Sequence, residues 1–310
     1  MTAVRPETLL ADIFQRRSLV GLGEIHWCPQ VMAEITALLE NPALEGTFDD
    51  IVVEFGSARH QAWLDRYIGG EEMDEAGLEA VWQDTLYFLL WSPPVYADFF
   101  RRLRALNLQR PLDRRVRVVL AEPALDWETL DGDAFARWHE ARERAYAERV
   151  EQEVLDRGRR AVLVFGLRHL THYSLPGAQY RPLAERLVKR EPGIIELIHP
   201  YHGEKGVFSG DHLSLDVRHN GLMIPAASES PGGPAMIDHI WYLGDLERRI
   251  ALPDALFADT TWLATIVARL QRLGEHHLAR ARNMMTAPQR AIFDDWLVHH
   301  HDGSCTGPTA

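Results

Sequence analysis

Cysteine is nearly absent. The 310-residue chain has two, Cys28 and Cys305, too few for a disulfide framework. Basic charge is also scarce, with 33 Lys and Arg against 45 Asp and Glu and a net charge of -12. Neutralising phosphates needs a basic surface, so nucleic acid is not an expected partner. Anionic membranes are disfavoured on the same ground. No apolar run approaches the roughly 20 residues that span a bilayer. The stretch from Met1 to Glu7 carries neither a signal-peptide core nor a lipidation cysteine. The expected location is cytoplasmic. Several catalytic signatures are missing too. There is no Gly-x-Ser-x-Gly elbow, no Gly-Lys-Ser/Thr phosphate loop, no His-Glu-x-x-His helix and no Cys-x-x-Cys-His haem attachment.

What is present is a phrase that occurs twice. The first copy runs from Ser18 to His26, an apolar run ending in Gly23-Glu24-Ile25-His26. The second runs from Ala161 to His169 and ends in Gly166-Leu167-Arg168-His169. A helical stretch follows each copy, and then a second apolar run carrying a glutamate. His26 to Glu54 spans 28 positions and His169 to Glu196 spans 27. Repeated strand-helix-strand units bring their loops to one edge of a sheet. Two imidazoles and several carboxylates are thereby expected in one crevice.

Continuous rather than alternating apolar runs stand at 18–22, 50–54, 116–121, 161–165, 194–198 and 236–243. Strands covered on both faces read this way. Helical patterns separate them at Pro29 to Glu40 and Ala178 to Arg190. The expected fold is α/β, with a mostly parallel central sheet from two repeated βαβ halves, helices on both faces and helical insertions as a cap. One domain over 1–310 is expected, with insertions at about 57–110 and 128–158 and a flexible tail at about 302–310. Asp133 is the expected N-cap of a long helix whose alternating charges read as a solvated face, and Gly158 its stop. Residues 200–235 read as loop. His276-His277 and His299 to His301 read as solvent-facing.

The candidate site residues follow from these placements. Glu24 and His26 lie just past a strand. Glu54 ends the run Ile51-Val52-Val53, where a lone buried carboxylate needs a partner such as Arg59. Glu122 ends a further strand. His169 closes the second phrase, with Arg168 before it and His172 three residues on. Glu196 and His199 are alternatives for the matching carboxylate position, and Asp238 opens the last apolar run. Two chemistries suit the set. His and carboxylate ligands can hold Mn, Co, Fe or Zn and acidify water. Alternatively, a His held by a Glu can activate water without metal. The aromatic band from Trp82 to Trp91 reads as core, or as an apolar wall for a partly apolar small-molecule or peptide substrate. Ring-rich helices also suit a homodimer interface.

At Gly23, His26, Gly166 and His169, with Glu24 and Glu54, the chain resembles the superfamily of erythromycin esterases, ChaN-like haem-binding proteins and Tiki/TraB proteases. Its Gly-Glu-x-His form is closest to the ChaN-like branch, as is the run from Asp238 to Leu243. The resemblance covers 16–56, 116–123, 160–199 and 236–243. It implies ester or amide hydrolysis, with His26 and Glu54 as base and orienting group or with His26, His169, Glu24 and Glu54 as a metal set. The ChaN-like branch implies haem or metal binding without turnover instead. A salt-bridge network without ligand is the third alternative.

Overall fold

The computed structural model describes residues 3–174, 177–201, 223–226, 235–243, 246 and 252–299. Of the expected loop at 200–235, residues 202–222 and 227–234 lie outside the described residues, as do the expected tail at 302–310, His300 and His301.

The apolar runs form one open sheet. Its strands are β1 (Leu19–Glu24), β2 (Asp50–Ser57), β3 (Arg117–Glu122), β4 (Ala161–Gly166), β5 (Ile195–Tyr201), β6 (Met223–Pro225) and β7 (His239–Tyr242). The order is β3-β2-β4-β1-β5-β7-β6. Six strands run parallel, and β6 pairs antiparallel with β7. Sequence patterning had assigned β6 to loop, because three residues at a sheet edge carry no periodicity.

Ten α-helices among the described residues surround the sheet. The two faces sort by residue parity. Val20, Leu22, Ile51, Val53, Leu120 and Val164 pack with α1 (Pro6–Ile13), α2 (Pro29–Leu39), α3 (Gln61–Gly69), α4 (Ala76–Gln83) and α5 (Pro94–Gln109). Leu19, Val52, Val119, Leu163, Phe165 and Leu197 pack with α6 (Gly132–Glu153) and α7 (Leu183–Arg190). This is the covering on both sides that the unbroken apolar runs require.

A third apolar cluster joins Trp27 and the segment 86–89 to α8 (Thr260–Leu273), α9 (Glu275–Arg282) and α10 (Ala287–His299). Helices α3 to α5 therefore form a layer on one face. The lid-like cluster near the β1 loop comes instead from residues 86–90 and the C-terminal helices. Two expected boundaries move. The N-cap of α6 is Asp131, not Asp133, accepting from Ala134 N at 2.7 Å. Helix α7 starts only at Leu183. Gly158 does adopt the left-handed conformation expected of a stop, with φ 64°.

The interleaving of the repeat matters most for the site. β4 lies between β2 and β1, and β1 lies between β4 and β5. Each βαβ half thus encloses the leading strand of the other. β1 and β4 run side by side in register, with Leu19 opposite Ala161 and Glu24 opposite Gly166.

Candidate active site

The two Gly-x-x-His loops leave the carboxyl edge of the sheet together. His26 follows Glu24 by two residues, and the chain then turns at Trp27, a non-glycine residue at φ 66°. Such a conformation costs about 1–3 kcal/mol and persists only where packing holds it. Trp27 is buried in the third apolar cluster. That anchor sets the path of the loop. His26 Nδ1 hydrogen-bonds Glu24 Oε2, and the ring packs edge-on to Trp91 at 4.9 Å between centroids. Tyr96 Oη, on α5, donates to Glu24 Oε1 at 2.8 Å. The Glu24 carboxylate is thus held at both oxygens, and the His26 side chain keeps 24% of its surface exposed. Burial pushes the His26 pKa down, but Glu24 and then Glu54 outweigh it and raise it above 6.5.

Glu54 lies where the β2–β3 register shifts, between Val53 and Ser57. An irregularity of this kind re-aims side chains at a strand end. Its Oε2 accepts from Gly166 N at 2.8 Å, and its Oε1 lies 3.1 Å from His169 Nε2. His169 Nδ1 lies 2.6 Å from Glu143 Oε1, and Glu143 Oε2 accepts from Leu183 N at 2.8 Å. Glu143 therefore caps the first turn of α7 and clamps the imidazole. Burial works against charge on His169. The Glu54 and Glu143 carboxylates reverse this and lift it to about 9. Burial works against charge on Glu54 as well, and His169 and His26 together hold it well below the ordinary carboxylate value. His169 is an imidazolium between two carboxylates at neutral pH.

Glu122 forms the next wall. It accepts from Leu86 N at 3.2 Å and from Tyr146 Oη. Burial, the largest influence, raises its pKa, while Arg142 and Tyr146 oppose the rise. The Tyr146 ring also stands edge-on to His169 at 5.5 Å.

Several expected members lie elsewhere. Arg59 is exposed and does not pair with Glu54. Arg168 is exposed beside the buried His169. His172 and Asp238 pair with each other at 2.7 Å, and Asp238 also accepts from Leu197 N at 2.8 Å. That places them beside mid-strand β5, three registers short of the Glu24 edge. Glu196 pairs with Arg16, Arg17 and His239, away from the site. His199 is closer, because a Cβ on Gly23 would lie 3.0 Å from its Cδ2, and its Nε2 meets Leu170 O at 2.8 Å. His277 is half-buried against Phe135 at 4.3 Å rather than solvent-facing.

Sequence reading missed Glu143, Tyr146, Arg142 and Tyr96. The first three sit on the helix read as a solvated charged face. Their signal was the helical spacing 139, 142, 143, 146, a stripe of His, Arg, Glu and Tyr along one face.

The expected metal set does not fit this geometry. A ligating imidazole needs an unprotonated ring nitrogen, and both nitrogens of His169 face carboxylates. Among the described residues no group of three or more His, Cys, Asp and Glu is arranged to hold a metal ion. Tyr96 does not suit haem, because it is buried and bonded to Glu24. The Nδ1 bond of His26 to Glu24 is one that iron-ligating imidazoles also make, and it does not argue against haem there. No described helix is long and apolar enough to cross a membrane.

No protein-family model matches the sequence, and no curated protein sequence matches it. Solved structures do. A Bacillus cereus protein superposes with a TM-score of 0.54 at 12% identity, over 77% of this chain and 91% of its own. An erythromycin esterase, EreC, in its open conformation gives 0.46 at 13% identity, over 84% and 88%. ChaN of Campylobacter jejuni, with cofacial haem, gives 0.41 at 12% identity, over 66% and 88%. At these identities the likeness is one of fold alone.

Proposed function

We propose that the protein hydrolyses ester or amide bonds by general-base catalysis without a metal, with His26 as the base. One observation carries this reading: His26, partly exposed, is oriented by Glu24 directly beside the buried Glu54–His169–Glu143 array. A carboxylate only accepts, so His26 Nδ1 carries a proton toward Glu24 and Nε2 is the basic atom. In the proposed step Nε2 takes a proton from water while the water oxygen bonds to the carbonyl carbon. The C–O or C–N bond then breaks, and the leaving group takes that proton from His26. The His169 imidazolium supplies fixed positive charge beside the carboxylates and keeps Glu54 in place. Trp91 walls the base on one side.

The test is a screen of ester and amide libraries on wild type, His26→Ala and Glu54→Gln, with elemental analysis and a visible spectrum of each protein. The expected result is turnover in wild type that falls about 100-fold or more in His26→Ala, with folding intact. Full turnover in His26→Ala would overturn the assignment. About one divalent ion per chain, lost in that variant, would move the protein to the metalloenzyme class. A haem spectrum would move it to the binding class.

A further inference from the structure

Arg142 is the member of the α6 stripe left with a buried donor that nothing accepts. Its neighbour Glu143 holds His169, and Tyr146, one turn on, holds Glu122. The Arg142 guanidinium lies over the ring of Tyr87 at 4.7 Å and near that of Tyr146 at 5.7 Å. Aromatic rings meet a guanidinium through their π faces and satisfy none of its N–H donors. Arg142 Nε is out of contact with water and has no hydrogen-bond partner. Arg142 forms no ion pair with any described carboxylate. Glu122 and Glu54 favour its charge through space, but neither pairs with it directly. A buried N–H donor without an acceptor is costly, and guanidinium geometry matches carboxylate and phosphate.

A second feature meets it at Tyr87. A cavity of about 60 Å³ is lined by Leu86, Tyr87, Phe88, Phe135, Leu270 and Met284 among others, with Arg280 and His277 at its polar part. The Arg280 guanidinium lies 5.8 Å from the same Tyr87 ring. Tyr87 is therefore shared by the apolar cavity and by two cations. Its neighbour Leu86 is tied through its backbone N–H to Glu122.

We propose that Arg142 binds an anionic group of the substrate, a carboxylate or a phosphate, while the cavity beside Tyr87 takes the adjoining apolar part. The substrate class would then be an amphipathic anion whose scissile bond reaches His26. The reading of the site as a hydrolase supplies that last clause alone, and anion binding by Arg142 stands without it.

The test is a binding measurement by calorimetry in low-chloride buffer. The probes are 4-phenylbutyrate, phenethyl phosphate and the neutral 4-phenylbutyramide. Wild type should bind at least one anion about tenfold or more tighter than the amide, the gain of a charge-assisted contact. Arg142→Gln should erase that preference and Arg142→Lys should keep part of it. His26→Ala should keep all of it. The better-bound anion identifies the head group. Equal binding of anions and amide by wild type, no binding of any probe, or a preference that survives Arg142→Gln would each overturn the proposal. The wild-type comparison decides even if Arg142→Gln does not fold. An intact anion preference alongside a failed ester and amide screen would sink the hydrolase reading and leave this one standing.

Discussion

Gly166 lies directly beneath His26. A Cβ at position 166 would sit 2.8 Å from His26 Cε1, 2.9 Å from its Nε2 and 3.3 Å from Glu54 Oε2. The glycine of the second repeat thus makes room for the histidine of the first. Gly166→Ala must push the imidazole or the carboxylate aside. The expected cost is about 1–3 kcal/mol of stability, as for overpacking. His26 should also show an altered ring chemical shift in NMR spectra. An unchanged His26 signal in a fully stable variant would show that the ring does not rest there.

The rate of hydrolysis should rise with pH. A general base works unprotonated, and the His26 pKa is raised above 6.5 by Glu24 and Glu54 in spite of burial. The acid limb of the kcat/KM profile should therefore lie above 6.5. Tyr96→Phe should leave this limb in place or move it up, because Glu24 loses a competing donor. A limb well below 6.5 would exclude His26 as the base.

Stability should fall in alkaline solution. The folded-state pKa of His169, about 9, stands above the ordinary 6.5. A raised pKa means stabilisation that is full below about 6.5 and lost as pH rises through about 9, worth about 3 kcal/mol. Glu143→Gln weakens the clamp and should cost about 1–3 kcal/mol near neutrality. Urea denaturation from pH 6 to pH 9.5 checks this. The difference between wild type and variant should shrink as pH rises, and a constant difference would contradict the imidazolium assignment.

Chelation should change little. His169 turns both ring nitrogens to carboxylates, so a chelator removes nothing that holds this array together. The melting temperature with and without excess EDTA is expected to agree within about 1 °C, and any hydrolytic activity should persist. A large drop in either would point to a bound ion and a rearranged site.

The strands were legible because burial on both faces leaves a mark on composition. Runs such as Val118 to Ala121 and Ala161 to Phe165 have no polar alternation, and both lie within strands. The Gly-Glu-x-His phrase was legible for a similar reason. A glycine at a strand end, with ionisable residues after an apolar run, is costly unless a pocket needs it. Glu24, His26, Glu54 and His169 do meet. Arg59, Arg168, His172 and Asp238 do not join them, because nearness in sequence says nothing about which way a side chain leaves a loop. The α6 residues were hidden by their setting. Arg142, Glu143 and Tyr146 sit among charged residues on a long helix, where two buried positions and a half-buried one vanish into a solvated pattern.

By itself, then, the sequence determined the α/β class, the parallel runs and the pair of glycine-histidine loops, since these depend on local hydrophobicity and backbone room. Only the tertiary structure decided that the two βαβ halves interleave, with β1 beside β4. Strand order follows from how whole helices pack on the sheet, a long-range choice that no window of sequence encodes. That choice sets His26 over Gly166 and brings Glu143 from a distant helix to His169. It thereby converts a scattering of ionisable residues into one charged array.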